Sequence, residues 1–187
     1  TVKEFSLKIG TALKRMEQLI QSMLKITRID AGSISFEKSN YSIPNIINHA
    51  ISELTTRADN EKKEIVIDGD LEQMLYCDIE WTGEAIGNII KNALDHTDTG
   101  GKISISWEQT PAMIRIFITD NGHGISQEDI HHIFKRFYRS KNTSESQGIG
   151  LGLPLAKAIV EGQGGILSVQ SELLQGTTFT LSFLTES

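Results

Sequence analysis

The chain has 187 residues, 39% hydrophobic and 22% charged, the balance of a globular protein with room for one sizeable domain and a smaller appendage. A net charge of −6 argues against nucleic acid as the main partner, because that footprint is usually basic. The single cysteine, Cys77 in the run MLYC, excludes an intrachain disulfide and reads as a small buried hydrophobe of a reducing compartment.

No apolar run reaches the ~20 residues of a membrane span, and no signal peptide opens the chain. The start at TVKEF, without methionine, reads as a piece of something longer, so a membrane-bound parent is compatible with it.

Over residues 5–29 the apolar positions Phe5, Ile9, Leu13, Met16, Ile20 and Met23 recur in steps of three and four, which predicts a long helix closed at Gly32. So broad a stripe needs a partner. Its heptad-like spacing points to a hairpin or dimer bundle, the alternative being a helix lying on its own domain. ISFEK reads as a short strand, and Ser42 with Pro44 opens a helix through about Ala58. KEIVIDG and QMLYC alternate as strands do.

Residues 78–96 predict a helix with Ile79, Trp81, Ile86, Ile89, Ile90 and Leu94 as its apolar positions. After a turn at 97–101, KISISWE and MIRIFITD form an antiparallel pair bending near Thr110 and Pro111. Ser126 caps a short helix running through HHIF, and SKNTSESQG, with no large apolar residue, is expected to be a mobile loop. A helix over 154–160 and two strands, GILSVQSE and TTFTLSF, complete the chain. Hairpin-linked strands mixed with helices place it in the α+β class, as a two-layer α/β sandwich with helices on one face behind a long leading helix, rather than a doubly wound sheet.

Three stretches carry chemistry. In ITDNGHGI, Asp120 ends a strand and enters a turn with Gly122 and Gly124. Either it closes an Asx-turn, or its carboxylate accepts hydrogen bonds from an amino group such as that of adenine. In GNIIKNALDH, Asn88 and Asn92 are four apart and share a helix face. They are either solvated amides at the edge of the apolar stripe, or ligands of a metal ion and a phosphate chain. In QGIGLGLPLAKAIV, Gly148, Gly150 and Gly152 precede a helix start, where backbone N–H groups attract anions. Neither GxxxxGK[ST] nor GxGxxG is present.

Taken in order, NIIKNALDHT, DNGHGI, IFKRFYRS, GIGLGL and GTTF resemble the N, G1, F, G2 and G3 boxes of the ATP-binding domain of sensor histidine kinases. The resemblance runs from about Tyr41 to the C-terminus, and RMEQLIQSMLKITRIDAG resembles the second helix of that family's dimerisation hairpin. It implies a Bergerat-type sandwich with a mixed sheet over 34–187, and an incomplete dimerisation and phosphotransfer hairpin over 1–33. FKRFYRS and RIDAG favour histidine kinases over the Hsp90, type II topoisomerase, mismatch-repair and anti-sigma-factor kinase relatives. A serine kinase or ATPase of the same superfamily, or a nucleotide-free scaffold, are the alternatives.

The resemblance implies ATP and Mg²⁺ as ligands. Asn92 would hold the metal, and Asn88 would take the catalytic position near the terminal phosphate. Asp120 would read the adenine amine, with Gly122, Gly124 and Ile125 shaping the pocket floor and Thr178 placing a hydroxyl near the base. Gly148, Ile149, Gly150, Leu151, Gly152 and Leu153 would form a lid, bordered by Tyr138 and Arg139. Phe134 and Phe137 either pin its base or pack in the core.

Asp95 stands where many relatives carry a basic residue near the phosphates, and His96 where many carry an aromatic. Lys91, Lys135, Arg136 or Arg139 would then offset the phosphate charge. None of His49, His96, His123, His131 and His132 has the context of the family's phosphoacceptor. The first hairpin helix is therefore expected to be missing, and the chain to bind ATP without phosphorylating itself. The partners implied are a response regulator and a second copy through the hairpin, with no nucleic acid and no membrane contact by this segment. The location implied is the cytoplasmic portion of a bacterial sensor.

Overall fold

The computed structural model describes residues 2–140 and 148–185. The loop SKNTSESQG falls, apart from its ends, outside the described residues. In order the elements are α1 (Val2–Asp30), β1 (Ser39–Ser42), α2 (Ile43–Ile51), α3 (Leu54–Asn60), β2 (Glu64–Asp68), β3 (Met74–Cys77) and α4 (Ile79–His96). Then follow β4 (Lys102–Gln109), β5 (Met113–Asp120), α5 (Gln127–Ile130), α6 (Gly152–Gly162), β6 (Ile166–Glu172) and β7 (Gly176–Leu184).

Five strands form one mixed sheet in the order β2-β4-β5-β7-β6, with β2 and β4 parallel and every other pair antiparallel; β1 and β3 form a separate antiparallel pair. The alternation in the strands decides which face is covered. Ile103, Ile105, Ile114, Ile116, Ile118, Phe179 and Leu181 are buried beneath the helices. Ser104, Thr119, Thr178 and Thr180 fall on the opposite face and stay half-buried. From the helix layer, α4 contributes Ile86, Ile89, Ile90 and Leu94, none of them accessible. Each such side chain stabilises the fold by about 1.5–3 kcal/mol relative to exposure.

The helix expected over 5–29 is there, and it ends as expected. Gly32 takes φ +64, Gly32 N–H donates to the Ile29 carbonyl and Ser33 N–H to the Arg28 carbonyl, both at 2.9 Å, a Schellman closure. Its apolar stripe divides into an exposed half and a half that lies on the domain. Phe5, Leu13 and Met16 are exposed, whereas Ile26 is buried and Leu19, Met23 and Ile29 pack on the domain along α6.

Three expectations need correction. ISFEK is irregular rather than a strand, because tertiary bonds hold it elsewhere. Glu37 N–H donates to Asp78 Oδ2 at 2.9 Å, Lys38 Nζ donates to the Gln163 carbonyl at 2.5 Å, and Phe36 meets Trp81 edge-on at 5.8 Å. Gln163 in turn accepts from Asp78 N–H at 2.8 Å and donates to Thr82 Oγ1 at 3.0 Å, so the start of α4 and the end of α6 are locked together. The helix after Pro44 is two helices, broken between Ile51 and Leu54, where Ser52 turns its hydroxyl back to the His49 carbonyl at 3.1 Å. Finally, α5 stops at Ile130; Ser126 caps it as expected, accepting from Asp129 N–H at 3.2 Å, but HHIF continues as turns.

Candidate functional site

Two adjoining chambers open along the exposed side of α4, of about 420 and 340 Å³. The larger is built on strand ends. Asp120 closes β5 on the same face as Ile114, Ile116 and Ile118, and so it is buried, only 4% exposed. Its Oδ1 accepts from Gly122 N–H at 2.9 Å, and the Thr177 backbone, its register partner on β7, also hydrogen-bonds the carboxylate. Burial raises the Asp120 pKa above the usual 3.8, against the opposing pull of those two backbone bonds and of His123. A carboxylate held this way keeps lone pairs for a donor arriving in the chamber.

The loop beyond Asp120 is seated by backbone. His123 N–H donates to the His96 carbonyl at 3.1 Å, Leu174 N–H to the His123 carbonyl at 2.7 Å, and Ile125 N–H to Ser171 Oγ at 2.8 Å. Three glycines permit that approach. A Cβ on Gly122 would lie 2.1 Å from the His96 oxygen, on Gly124 2.0 Å from the Glu172 oxygen, and on Gly176 2.0 Å from the Asp120 oxygen. Gly124, Ile125, Asp95, His96, Tyr138 and Arg139 line this chamber; Gly122 shapes it from behind. Burial lowers the His96 pKa from 6.5, with Asp95 opposing, so the ring is neutral near pH 7 and presents a flat, uncharged wall.

Thr178 is the misplaced residue of the expected set. Its hydroxyl lies 3.0 Å from Thr119 Oγ1 on the open face of the sheet, whereas Thr177 lines the chamber. Period-two geometry forces the swap, since Phe179 and Leu181 carry the face of Thr177 into the core.

The smaller chamber holds Asn88 and Asn92, one helical turn apart and both half-buried; Asn92 also borders the larger one. Gly148, Ile149, Gly150, Leu151, Gly152 and Leu153 form its rim. Leu151 is anchored at 3% exposure, and Gly150 is held by its carbonyl, which accepts from Phe137 N–H at 2.9 Å. Gly152 begins α6, and a Cβ there would meet Asn88 Oδ1 at 3.5 Å, so the glycine leaves the space between α6 and Asn88 open. Helix-start N–H groups beside two amides suit a polyanion.

Among the described residues no group of three or more His, Cys, Asp or Glu could hold a metal ion. The amide oxygens of Asn92 and Asn88 are donors of the kind that suit a hard cation taking few protein ligands and keeping water in its shell.

Of the two F-box phenylalanines, Phe134 packs edge-on against Phe179 at 6.3 Å, and Phe137 is exposed at φ +63, touching the rim through its backbone. Asp95 is neutralised from a direction the sequence did not suggest: Arg57 Nη2 on α3 donates to Asp95 Oδ1 at 2.6 Å. Lys91 lines the smaller chamber, while Arg136 reaches Asp30 on α1 instead. Sequence reasoning also missed the wall that α1 supplies through Gln18, Gln21, Ser22 and Lys25.

The sequence model of the family described as histidine kinase-, DNA gyrase B-, and HSP90-like ATPases matches residues 77–187. The sensor protein SrrB of Staphylococcus aureus is 30% identical over 170 residues, covering 90% of this chain and 29% of that protein. The chain thus spans less than a third of the length of the curated relatives it matches. Among solved structures, full-length ShkA in complex with AMPPNP has a TM-score of 0.81 at 20% identity, covering 92% of this chain and 36% of that one. Histidine kinase ThkA in complex with response regulator protein TrrA has a TM-score of 0.77 at 20% identity, covering 100% of this chain and 52% of that one. At these identities the structural likeness speaks to the fold.

Proposed function

The chain belongs to the family of histidine kinase-, DNA gyrase B- and HSP90-like ATPases as an ATP-binding domain of the sensor histidine kinase kind, and from that premise we propose how it holds and delivers a phosphoryl group. The observation that carries the reading is the buried Asp120 carboxylate in a chamber that shares the walls Asn92, Asp95 and Gly150 with the one holding Asn88.

Asp120 accepts from the adenine amine, His96 and Ile125 flank the base, and Thr177 rather than Thr178 supplies the hydroxyl nearest Asp120. Asn92 is the metal ligand and Asn88 stands by the terminal phosphate. When bound, Mg²⁺ offsets the charge of the phosphates. The rim from Gly148 to Leu153 closes over the phosphate chain, and the α6 start adds its N–H groups. The acceptor is a histidine on a helix outside this chain that pairs with the exposed stripe of α1, and an aspartate of a response regulator receives the group next. Residues 1–33 are then half of a dimerisation hairpin and 34–187 the catalytic domain of a cytoplasmic portion. Among the described residues no helix is long and apolar enough to cross a membrane.

Mg-ATP at a hundredfold excess over Kd should stabilise the protein by about 2.7 kcal/mol, read as a thermal shift, and Asn92→Ala should remove chiefly the Mg²⁺ dependence of that shift. No shift with either ATP or ADP defeats the reading in favour of a scaffold. In the longer parent protein, an acid-labile, alkali-stable phosphoryl group is the expected product. A phosphoserine would assign the chain to the serine kinases instead.

A further inference from the structure

We propose that Lys25, on α1, contacts the terminal phosphate of the nucleotide, and that Glu84 is its resting partner. The inference rests on the nucleotide reading above and adds a residue to it from outside the catalytic domain. Four positions on α4 step along the two chambers: His96 in the larger, Asn92 shared, then Asn88 and Glu84 in the smaller. At 1.5 Å per residue this row runs about 18 Å from the base wall to Glu84. Lys25 Nζ lies 2.6 Å from Glu84 Oε1 and 5.7 Å from the centre of the Trp81 ring, at the end of the row farthest from Asp120.

The charges of the smaller chamber explain why a lysine is needed there. Its wall carries two acids, Glu84 and Asp95, and two lysines, Lys25 and Lys91. Asp95 is already answered from behind by Arg57 at 2.6 Å. Glu84 occupies Lys25, at the chamber's end beyond Asn88, and a triphosphate entering the chamber brings a denser negative charge than a single carboxylate. Lys25 and Glu84 are 40% and 31% exposed, so the pair is partly solvated and weakly held compared with a charge-assisted contact to phosphate. The four-carbon stem lets the ammonium turn from the carboxylate to the phosphate without moving α1.

The ratio of ATP to ADP affinity tests this, because only the terminal phosphate differs. With Mg²⁺ present, calorimetry on Lys25→Met should show ATP weakened about tenfold and ADP less than twofold, the loss of one charged hydrogen bond. Lys25→Arg should restore most of the difference. Glu84→Gln should act with the opposite sign and tighten ATP relative to ADP, because it releases the lysine. An unchanged ratio in Lys25→Met, or a Glu84→Gln variant that weakens both nucleotides equally while lowering Tm, would show that the pair only packs α1 on α4. Failure of the parent chain to bind either nucleotide sinks the broader reading, and this one with it.

Discussion

The Asp120 end of the cleft and its Asn88 end both carry glycines, held to different degrees by the fold. At the Asp120 end, Gly122, Gly124 and Gly176 each have a carbonyl oxygen about 2 Å from where a side chain would start. At the Asn88 end, Gly148 has nothing within 4 Å and Gly152 comes no nearer than 3.5 Å, to Asn88; Gly150 between them is held at φ +77, with the Tyr138 oxygen 2.8 Å from where a Cβ would start. The first group is demanded by the fold, and so is Gly150, whereas the fold leaves room for a side chain at Gly148 and Gly152. A buried, hydrogen-bonded floor thus faces a rim that packing fixes only at Gly150 and Leu151.

The sharpest way to break this contrast is Gly176→Ala. The new methyl meets the Asp120 carbonyl at a residue with φ +106, so overpacking and backbone strain together should cost about 2–5 kcal/mol in denaturant unfolding. A loss under 1 kcal/mol would mean the floor is softer than its geometry.

Asp120→Asn comes next and separates binding from stability. Loss of the charged acceptor should weaken all adenine nucleotides roughly tenfold to a hundredfold, while removing a buried charge keeps or raises Tm. The pH dependence carries the same distinction. Burial raises the Asp120 pKa, so nucleotide affinity should fall with falling pH at a higher pH than an ordinary carboxylate would set, as the acceptor takes up a proton. His96 is lowered, so the unfolded chain protonates first, and its contribution is full above 6.5 and lost as pH falls below it. Unfolding measured between pH 5 and 7 should show that slope flatten in His96→Gln.

Gly152→Ala should reverse the signs. Alanine is the better helix residue by up to about 1 kcal/mol and clashes with nothing, so stability should hold or rise while Mg-ATP binding weakens several-fold. The smallest effect belongs to Gly148→Ala, within about 0.5 kcal/mol in stability.

Much of this was legible because local and global signals agreed. The steps of three and four in α4, and the alternation in β4, β5 and β7, are the core itself seen one residue at a time; the stripe of α1 marked a helix, though most of it stays exposed. Thr177 was within reach too: Phe179 and Leu181 mark its face as the inner one, and alternation outranks the likeness that pointed to Thr178. Arg57 was not. It meets Asp95 from 38 residues away, and no spacing rule reports such a pair. ISFEK was misread because the acceptors of its Glu37 N–H and its Lys38 ammonium, the Asp78 carboxylate and the Gln163 carbonyl, lie far along the chain.

At 1.5 Å per residue, the 29 residues of α1 make a rod about 43 Å long, seated only near its last three turns. Ile26 is its pivot, and Asp30, gripped by Arg136, is its heel. At the heel, Ile29 lies beside Gly162, the last residue of α6, so the rod bears on the end of that helix farthest from Gly152. Rod and α6 thus share one packed joint, the last three turns of α1, and everything before it is lever arm.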